Sequence, residues 1–328
     1  MTGTLPVLDL ARFRSADRDG FLDDLRRAAR EVGFFTVVGH GIPREFTERL
    51  DAEVRRFFAL PLADRLAIEN TASPHFRGYS RVGTERTAGA PDRREQIDVG
   101  PERAPVDGPE RYWGLVGPNQ WPPAQPELRE AVLAWQDEAL RVSREILRAL
   151  AVALGQPEGH FDRWFDEESH LHLKVVHYPG REAAADGQGV GAHKDYGFLA
   201  LLHQDDVGGL QVQEPGTDDW LDAAPVPDGY VVNIGEMLEV ATRGYLTATR
   251  HRVVSPGPGV DRYSVPFFLG PRLDAVVEPI DLPPELAAET GAWDPAQDPD
   301  NTLLAAYGEN ALIGWLRSHP AVAKRHWR

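Results

Sequence analysis

The spacing of apolar residues changes near residue 170, and this change limits the folds that the chain can adopt. Before it, apolar residues mostly recur at helical intervals. After it, short segments with a period of two alternate with Gly, Pro, Asp and Asn. These segments predict strands at 173–178, 198–204, 209–213, 230–234, 250–254 and 263–269. Many short strands at this spacing are typical of a sandwich or barrel such as a jelly roll.

Helices are predicted on both sides of these strands. The longest helical pattern runs from residue 126 to about 154 and stops at Gly155, and the tail from Leu303 to Trp315 returns to helical spacing. We therefore expect one α+β domain over residues 1–328 with a mainly β core flanked by N-terminal and C-terminal helices. Its expected parts are a helix-and-strand region with substrate-pocket loops (1–125), a long support helix (126–170), the jelly-roll core (171–270) and a C-terminal helical tail (271–328).

Composition excludes several classes of function. The chain has no cysteine, which rules out disulfides, zinc–thiolate sites and a cysteine nucleophile. A formal net charge of −16 argues against binding to nucleic acid backbones. No apolar run approaches the roughly 18 residues of a membrane span, and the N-terminus does not resemble a signal peptide. We expect a cytoplasmic protein, a monomer, with a small-molecule substrate and no nucleic acid or membrane partner.

His193 and Asp195 suggest a metal site. Alternate residues of a strand point to the same face, so this imidazole and carboxylate are expected to converge. They would be two ligands of a 2-His-1-carboxylate iron site, and His251, 56 positions after Asp195, is the candidate for the third. A rival interpretation uses the pair His170 and His172, which also share a strand face and would suit a different metal site.

Arg262 and Ser264 form a second pair on one strand face, 11 residues after His251. A guanidinium group binds a carboxylate through two parallel hydrogen bonds, and a neighbouring hydroxyl adds a third. The pair is a candidate site for the carboxylate of a metal-chelating co-substrate. The alternative is a surface arginine beside Asp261.

A series of short motifs in a fixed order resembles the isopenicillin N synthase-like family of Fe(II)/2-oxoglutarate-dependent oxygenases. The resemblance runs nearly end to end, through LPVLDL (5–10), GFF (33–35), GHGI (39–42), FFALP (57–61), GPNQWP (117–122), HYP (177–179), HKDYG (193–197), NIGE (233–236), HRV (251–253) and RYS (262–264).

The resemblance implies a double-stranded β-helix (jelly roll) and assigns roles to individual residues. Fe(II) would be held by His193, Asp195 and His251. The distal carboxylate of 2-oxoglutarate would pair with Arg262 and Ser264, with Tyr178 as a further contact. Two positions depart from the family pattern: Val176 stands where Asn is frequent, and Lys174 stands where Arg is frequent.

The implied reaction consumes O2 and 2-oxoglutarate, with ascorbate as a candidate reductant. It releases succinate and CO2 and hydroxylates, desaturates or cyclises a C–H bond of a small metabolite. Two alternatives stay open: a 2-oxoglutarate-independent oxidase of the isopenicillin N synthase type, and a non-catalytic metabolite-binding jelly roll.

The sequence says little about the substrate. Arg77, Tyr79, Arg81 and Arg94 fall where the family places pocket loops, and an arginine there could bind a substrate carboxylate. Each could equally be a solvated loop residue. Phe198 could contribute to a dry wall beside the metal or simply pack in the core.

Overall fold

The computed structural model describes residues 4–180, 188–290, 304 and 306–327. Its strands are β1 (Val7–Asp9), β2 (Phe34–Val38), β3 (Gly78–Ser80), β4 (Arg86–Thr87), β5 (Ala90–Pro91), β6 (Glu95–Val99), β7 (Ser169–Tyr178), β8 (Gln188–His193), β9 (Leu199–Gln204), β10 (Leu210–Gln213), β11 (Trp220–Asp222), β12 (Tyr230–Ile234), β13 (His251–Val254) and β14 (Arg262–Arg272). Its α-helices are α1 (Arg18–Glu31), α2 (Arg44–Phe58), α3 (Leu62–Leu66), α4 (Glu127–Ala153), α5 (Glu236–Ala241), α6 (Pro284–Ala287), α7 (Tyr307–Ser318) and α8 (Pro320–His326).

Two sheets form the core. The larger has the order β1-β2-β12-β9-β14-β7-β6-β3, and the smaller has the order β11-β10-β13-β8. One cluster of buried apolar side chains includes Val176 and Val231 from the larger sheet with Val190, Val212 and Val253 from the smaller. The sheets therefore pack face to face, which confirms the predicted jelly roll.

The N-terminal third contributes strands to the larger sheet as well as helices. Strand β2 pairs with β12, and β6 pairs with β7. These pairings join residues that are more than 70 positions apart in the sequence, a distance over which local patterns carry no information. The aromatic and β-branched residues at 34–38 favour a strand but do not give its place in the sheet. The strands predicted from the period of two did not include β8 or β11.

Helix α4 supports the larger sheet from outside. Trp135 on this helix is fully buried, and its ring lies 6.5 Å from His203 on β9 and 6.1 Å from Tyr230 on β12. The helix stops at Ala153, and Gly155 adopts a positive φ of 73° that ends it, as the sequence predicted. The region 126–170 is thus helical only in its first part.

The C-terminal helices pack against the other end of the core. The ring of Trp315 on α7 lies 4.5 Å from His172 and 5.3 Å from Phe76. The predicted helical tail is confirmed from Tyr307 onwards, while Leu303 lies outside the described residues. No helix among the described residues is long and apolar enough to cross a membrane.

Phe198 belongs to the core. It is 0% exposed. Its ring centroid lies 6.2, 5.6 and 5.1 Å from the ring centroids of Phe161, Trp164 and Phe165. Phe198 comes directly before β9, and these aromatic neighbours lie in the connection between α4 and β7.

The substitution Phe198→Ala is expected to lower the free energy of unfolding by about 3–5 kcal/mol, because it leaves a cavity among three aromatic rings. Urea denaturation followed by circular dichroism measures this loss. Leu62→Ala, at a side chain that is 48% exposed, is the control and should change stability by about 0.5 kcal/mol or less. A loss below about 1 kcal/mol for Phe198→Ala would contradict its placement in the core.

Candidate metal centre and adjoining cavity

The two candidate histidine ligands are neighbours across the smaller sheet. His193 ends β8, and His251 begins β13 as its direct partner in the antiparallel register. The centroids of the two rings are 4.3 Å apart. A register shift follows between His251 and Val253, so the regular ladder is interrupted next to this pair.

Asp195 reaches the same point from a loop. The sequence argument placed it on the strand face with His193, but β8 ends at His193. Its position comes from two hydrogen bonds: the Asn233 amide donates to Asp195 Oδ2 at 2.9 Å, and the Glu236 backbone N–H donates to the Asp195 carbonyl at 2.8 Å. The carboxylate oxygens lie 3.6 Å from His193 Nε2 and 3.7 Å from His251 Nε2.

Backbone carbonyls orient both rings. The Gly191 carbonyl lies 2.8 Å from His193 Nδ1, and the Thr249 carbonyl lies 3.2 Å from His251 Nδ1. A carbonyl can only accept, so each Nδ1 carries the proton and each Nε2 lone pair faces Asp195. Burial, with the nearby His251, lowers the pKa of His193 to about 4, which keeps this imidazole neutral. Neutral imidazoles with a fixed tautomer are the form that binds metals.

These residues fit an Fe(II) ion. One donor atom from each of His193, Asp195 and His251 lies within 4.8 Å of the other two. Two nitrogens and one oxygen form the donor set of non-haem iron sites that keep coordination positions open, whereas a structural zinc site would have four protein ligands.

Arg262 is only 1% exposed. It nevertheless forms no salt bridge among the described residues. Its Nη1 lies 3.3 Å from Ser264 Oγ, its Nη2 donates to Gln204 Oε1 at 3.1 Å, and its Nε has no hydrogen-bond partner. A buried guanidinium group that lacks a counter-ion is costly, so this site fits a bound carboxylate.

Tyr178 lies beside Arg262. The two residues are cross-strand partners on β7 and β14, and the guanidinium carbon lies 4.8 Å from the tyrosine ring centroid. Val176, which pairs with Ser264, is fully buried in the apolar cluster between the sheets. The departure from Asn at this position therefore gives the Arg262 end of the barrel an apolar wall.

A cavity of about 170 Å³ lies next to the candidate metal ligands. Its polar wall includes Arg94, which directly precedes β6, and His172 and Lys174 on β7. The aromatic wall comes from Tyr196, Phe268, Tyr307 and Trp315. His193 and Asp195 line the same cavity, so a molecule held there lies beside the candidate metal site.

Of the five substrate candidates, the structure brings only Arg94 to the lining of this cavity among the described residues. Arg77 is 1% exposed and donates to the backbone carbonyls of His75 and Leu115, both at 3.1 Å. Tyr79 is buried and donates to Glu95. Phe198 lies in the aromatic core described above, so these three expectations are corrected: each side chain is committed to internal packing.

Arg81 and the rival histidine pair have other surroundings. Arg81 is half exposed and pairs with Glu69 at 2.7 Å. His170 bonds to the Tyr307 hydroxyl at 3.0 Å, and His172 bonds to Asp98 at 2.9 Å. Since the two imidazoles have different partners, they do not form a shared metal site.

Sequence reasoning missed a buried charged network behind the cavity, formed by Glu85, Asp98, Lys174 and His319. Lys174 Nζ lies 3.2 Å from Glu85 and 2.7 Å from Asp98, and His319 Nε2 bonds to both carboxylates. One oxygen or nitrogen from each of Glu85, Asp98 and His319 could also surround a metal, but Lys174 and His319 already pair with the two acids.

The network shifts the pKa values of its members. Burial alone would lower the pKa of His319, but the charge of Glu85 and hydrogen bonds to Asp98 and Glu85 outweigh it and raise the value. Burial would raise the pKa of Glu85, but His319, Lys174 and Arg94 lower it to about 2. Both shifts favour the ionised pair, which ties α7 and α8 to the polar wall of the cavity.

The substitution His319→Gln is expected to lower the free energy of unfolding by about 3 kcal/mol near pH 5.5, because it removes the cation from a buried pair. Because the pKa of His319 is higher in the folded than in the unfolded state, its protonation stabilises the fold fully below the unfolded-state pKa of about 6.5. This stabilisation is lost as the pH rises through the folded-state pKa. The difference from wild type should therefore shrink towards about pH 9. Urea titrations across this pH range measure it, with exposed His326→Gln as the control; a constant difference would contradict an ionised His319.

A larger depression of about 530 Å³ lies on another face, lined by residues that include His40, Asp51, His203 and Tyr230. His203 is paired with Asp51 at 2.8 Å, and His40 bonds to the Asp228 carbonyl at 2.9 Å. None of the metal-binding groups found among the described residues lies there, so its size alone does not make it the active site.

Comparisons with known proteins agree with this geometry. Residues 5–124 match the model of the N-terminal region of non-haem dioxygenases in morphine synthesis. Residues 169–271, which contain the three candidate metal ligands and Arg262, match the model of the 2OG-Fe(II) oxygenase superfamily.

Relatives match over most of their length. A 2-oxoglutarate-dependent dioxygenase, frbJ, of Dothideomycetidae sp. is 37% identical, with 98% of this chain and 91% of that protein covered. A homoarginine-6-hydroxylase of Arabidopsis thaliana is 36% identical, with 85% of this chain and 88% of that protein covered. A Neurospora crassa protein crystallised with alpha-ketoglutarate and thymine has a TM-score of 0.75 and 26% identity, covering 98% of this chain and 96% of that one.

These matches confirm the resemblance, the double-stranded β-helix and the expected dependence on iron and 2-oxoglutarate. The chain belongs to the 2-oxoglutarate- and Fe(II)-dependent oxygenase superfamily.

Proposed function

We propose that this enzyme hydroxylates a C–H bond of a small metabolite bound in the 170 Å³ cavity, with Fe(II) held by His193, Asp195 and His251. The observation that carries the proposal is the convergence of two imidazoles and one carboxylate at the edge of that cavity. Relatives named for homoarginine hydroxylation, and one crystallised with thymine, support a small-molecule substrate.

Arg262, Ser264 and Tyr178 are the proposed site for the distal carboxylate of 2-oxoglutarate. The buried guanidinium supports this assignment, since it forms no salt bridge among the described residues and a carboxylate would supply a contacting counter-ion. The apolar side chains between the sheets exclude water from the co-substrate, which strengthens these electrostatic contacts.

When bound together, iron and 2-oxoglutarate supply the oxidising chemistry, with release of succinate and CO2. The protein's own contributions are more limited. Gly191 and Thr249 fix the tautomers of the two histidines, Asn233 holds Asp195 in its loop, and the walls of the cavity orient the substrate.

We also propose a single-domain, monomeric, cytoplasmic enzyme without a nucleic acid or membrane partner. Pairing of N-terminal β2 and β6 into the larger sheet supports one domain over residues 1–328. The net charge of −16 supports the absence of nucleic acid binding. The lack of cysteine is consistent with a reducing compartment. Size-exclusion chromatography with light scattering tests the oligomeric state.

The substitution His251→Ala should weaken Fe(II) binding by at least about 100-fold. Loss of a group that only hydrogen-bonds to a metal ligand lowers metal affinity by about 10–100-fold, and loss of the ligand itself should lower it further. Anaerobic metal titration measures this, together with the visible charge-transfer band expected when Fe(II) and 2-oxoglutarate are added to wild type. Exposed His326→Ala should behave as wild type, and circular dichroism should show all three proteins folded. Unchanged iron binding in His251→Ala would remove this residue from the site.

The substitution Arg262→Lys keeps the charge but loses the two-pronged geometry, so the 2-oxoglutarate concentration for half-maximal succinate formation should rise at least about tenfold. Arg49→Lys, at a side chain that is 52% exposed, is the control. An unchanged requirement would reject Arg262 as the co-substrate site.

The two alternative functions have distinct outcomes in wild type. Substrate oxidation without any consumption of 2-oxoglutarate would favour the isopenicillin N synthase type of oxidase. No absorption band with Fe(II) and 2-oxoglutarate in the folded protein would favour a binding-only module.

A further inference from the structure

The hydrogen bonds of the cavity's polar wall show which kind of group can still bind there. Apart from the candidate ligand Asp195, the charged side chains lining the cavity among the described residues are Glu85, Arg94, Lys174 and Lys194. A ligand can bond only to donors or acceptors that the protein has not already used. The existing partners of each carboxylate and each cation therefore decide what can bind.

The carboxylates have little acceptor capacity left. Glu85 accepts from Arg94 and Gln96, both at 2.7 Å, from Lys174 at 3.2 Å, and from His319. Three of these contacts are to Oε1, and the contact from Arg94 is to Oε2. An ionised carboxylate has roughly four lone-pair positions, so the opening that remains lies on Oε2, where the adjacent Arg94 cation repels an ammonium group.

Two further buried carboxylates, Asp98 and Asp92, have four contacts each. Asp98 contacts His172 at 2.9 Å, Lys174 at 2.7 Å, Gln96 at 2.8 Å and His319 at 3.3 Å. Asp92 accepts from Thr87 at 2.7 Å, Gln188 at 3.1 Å, Arg94 at 3.3 Å and the Gly191 backbone at 3.4 Å.

The cations, in contrast, retain donors. Arg94 has five N–H groups, of which those on Nη2 bond to Glu85 and Asp92, while the buried Nε has no partner. Lys174 has three N–H groups and two carboxylate partners. Lys194, at the same cavity, has one partner, Glu239, at 3.4 Å. The unused capacity of the charged wall is therefore that of positively charged donors.

We propose that the substrate carries a carboxylate that binds to Arg94 and Lys174. Its apolar or cyclic body lies against Trp315 and Phe268, and the C–H bond to be oxidised faces His193 and Asp195. This inference rests on the proposed function, because it takes the cavity as the substrate site. It commits to an anionic substrate, because this wall offers more unused donors than open acceptor positions.

The size of the cavity limits the rest of the molecule. Its 170 Å³ is below the range of about 300–1,000 Å³ that is common for drug-sized ligands. A Cβ atom at Gly314 would lie 3.0 Å from the ring of Tyr196, so the missing side chain keeps α7 close to the aromatic wall. A compact monocyclic or short branched acid fits these limits.

Two pairs of probes test the charge preference directly: phenylacetate with phenylacetamide, and cyclohexanecarboxylate with cyclohexanecarboxamide. Each pair keeps the shape and replaces the charged acceptor with a neutral amide. Isothermal titration calorimetry is done anaerobically on wild type loaded with Fe(II) and saturating 2-oxoglutarate, so that the probes cannot occupy the co-substrate site. At least one acid should bind at least about tenfold more tightly than its amide, the effect of one charge-assisted hydrogen bond.

Substitutions then locate the preference. Lys174→Gln and Arg94→Gln should each reduce binding of the preferred acid by about tenfold to 100-fold and leave binding of its amide nearly unchanged. Arg56→Gln, at a side chain that is 52% exposed, is the control and should keep the wild-type preference. Each of these substitutions removes a cation that contacts two buried carboxylates and can therefore fail to fold. In that case the acid–amide comparison on wild type decides the result.

Equal or weaker binding of both acids relative to their amides, including no binding of any probe, would overturn the proposal. So would an acid preference that survives in folded Lys174→Gln and Arg94→Gln. Failure of the proposed function looks different: wild type would give no absorption band with Fe(II) and 2-oxoglutarate. The acid–amide comparison on the metal-free protein would still decide whether the carboxylate site exists.

Discussion

The antiparallel register between β8 and β13 is the constraint on which the candidate metal site depends. It places His193 directly opposite His251, with their Nε2 atoms turned towards one carboxylate. A slip of one residue would turn one imidazole to the opposite face of the sheet. The packed valines between the two sheets resist such a slip, because it would also expose them. The site therefore depends on the same packing that stabilises the jelly roll.

A second constraint is charge balance around the cavity. Buried ions are tolerated only when each has a partner, and breaking such a pair is strongly destabilising. Here Glu85 and Asp98 are neutralised by Lys174 and His319, which come from β7 and from the junction of α7 and α8. The C-terminal helices thus belong to the cavity as well as to the scaffold. Arg262 is the contrasting case: it forms no salt bridge among the described residues, and its buried Nε has no hydrogen-bond partner, as expected of a site for an anion.

Much of the fold could be predicted because local patterns are strong. A period of two identified six of the eight strands from β7 to β14, and the helical spacing of residues 126–154 matched α4 closely. The spacing of His193, Asp195 and His251 predicted the metal site, and the structure brings all three together. The reason given for Asp195 was wrong, because a loop held by Asn233 places it there and not a strand face. The substrate candidates Arg77 and Tyr79 failed because a sequence does not show which side chains are used by internal hydrogen bonds.

The sequence by itself determined the types of most core elements, the candidate donor atoms for iron and Arg262 as a candidate carboxylate site, because these depend on residue type and short spacing. Only the tertiary structure decided the surroundings of the substrate. Glu85, Lys174 and His319 are far apart in the chain, and their bonds depend on the pairing of β6 with β7 and the docking of α7. Whether a charged group is free to bind a ligand depends on such long-range partners. This is why the preference of the cavity for an anion follows from the folded structure and not from the order of residues.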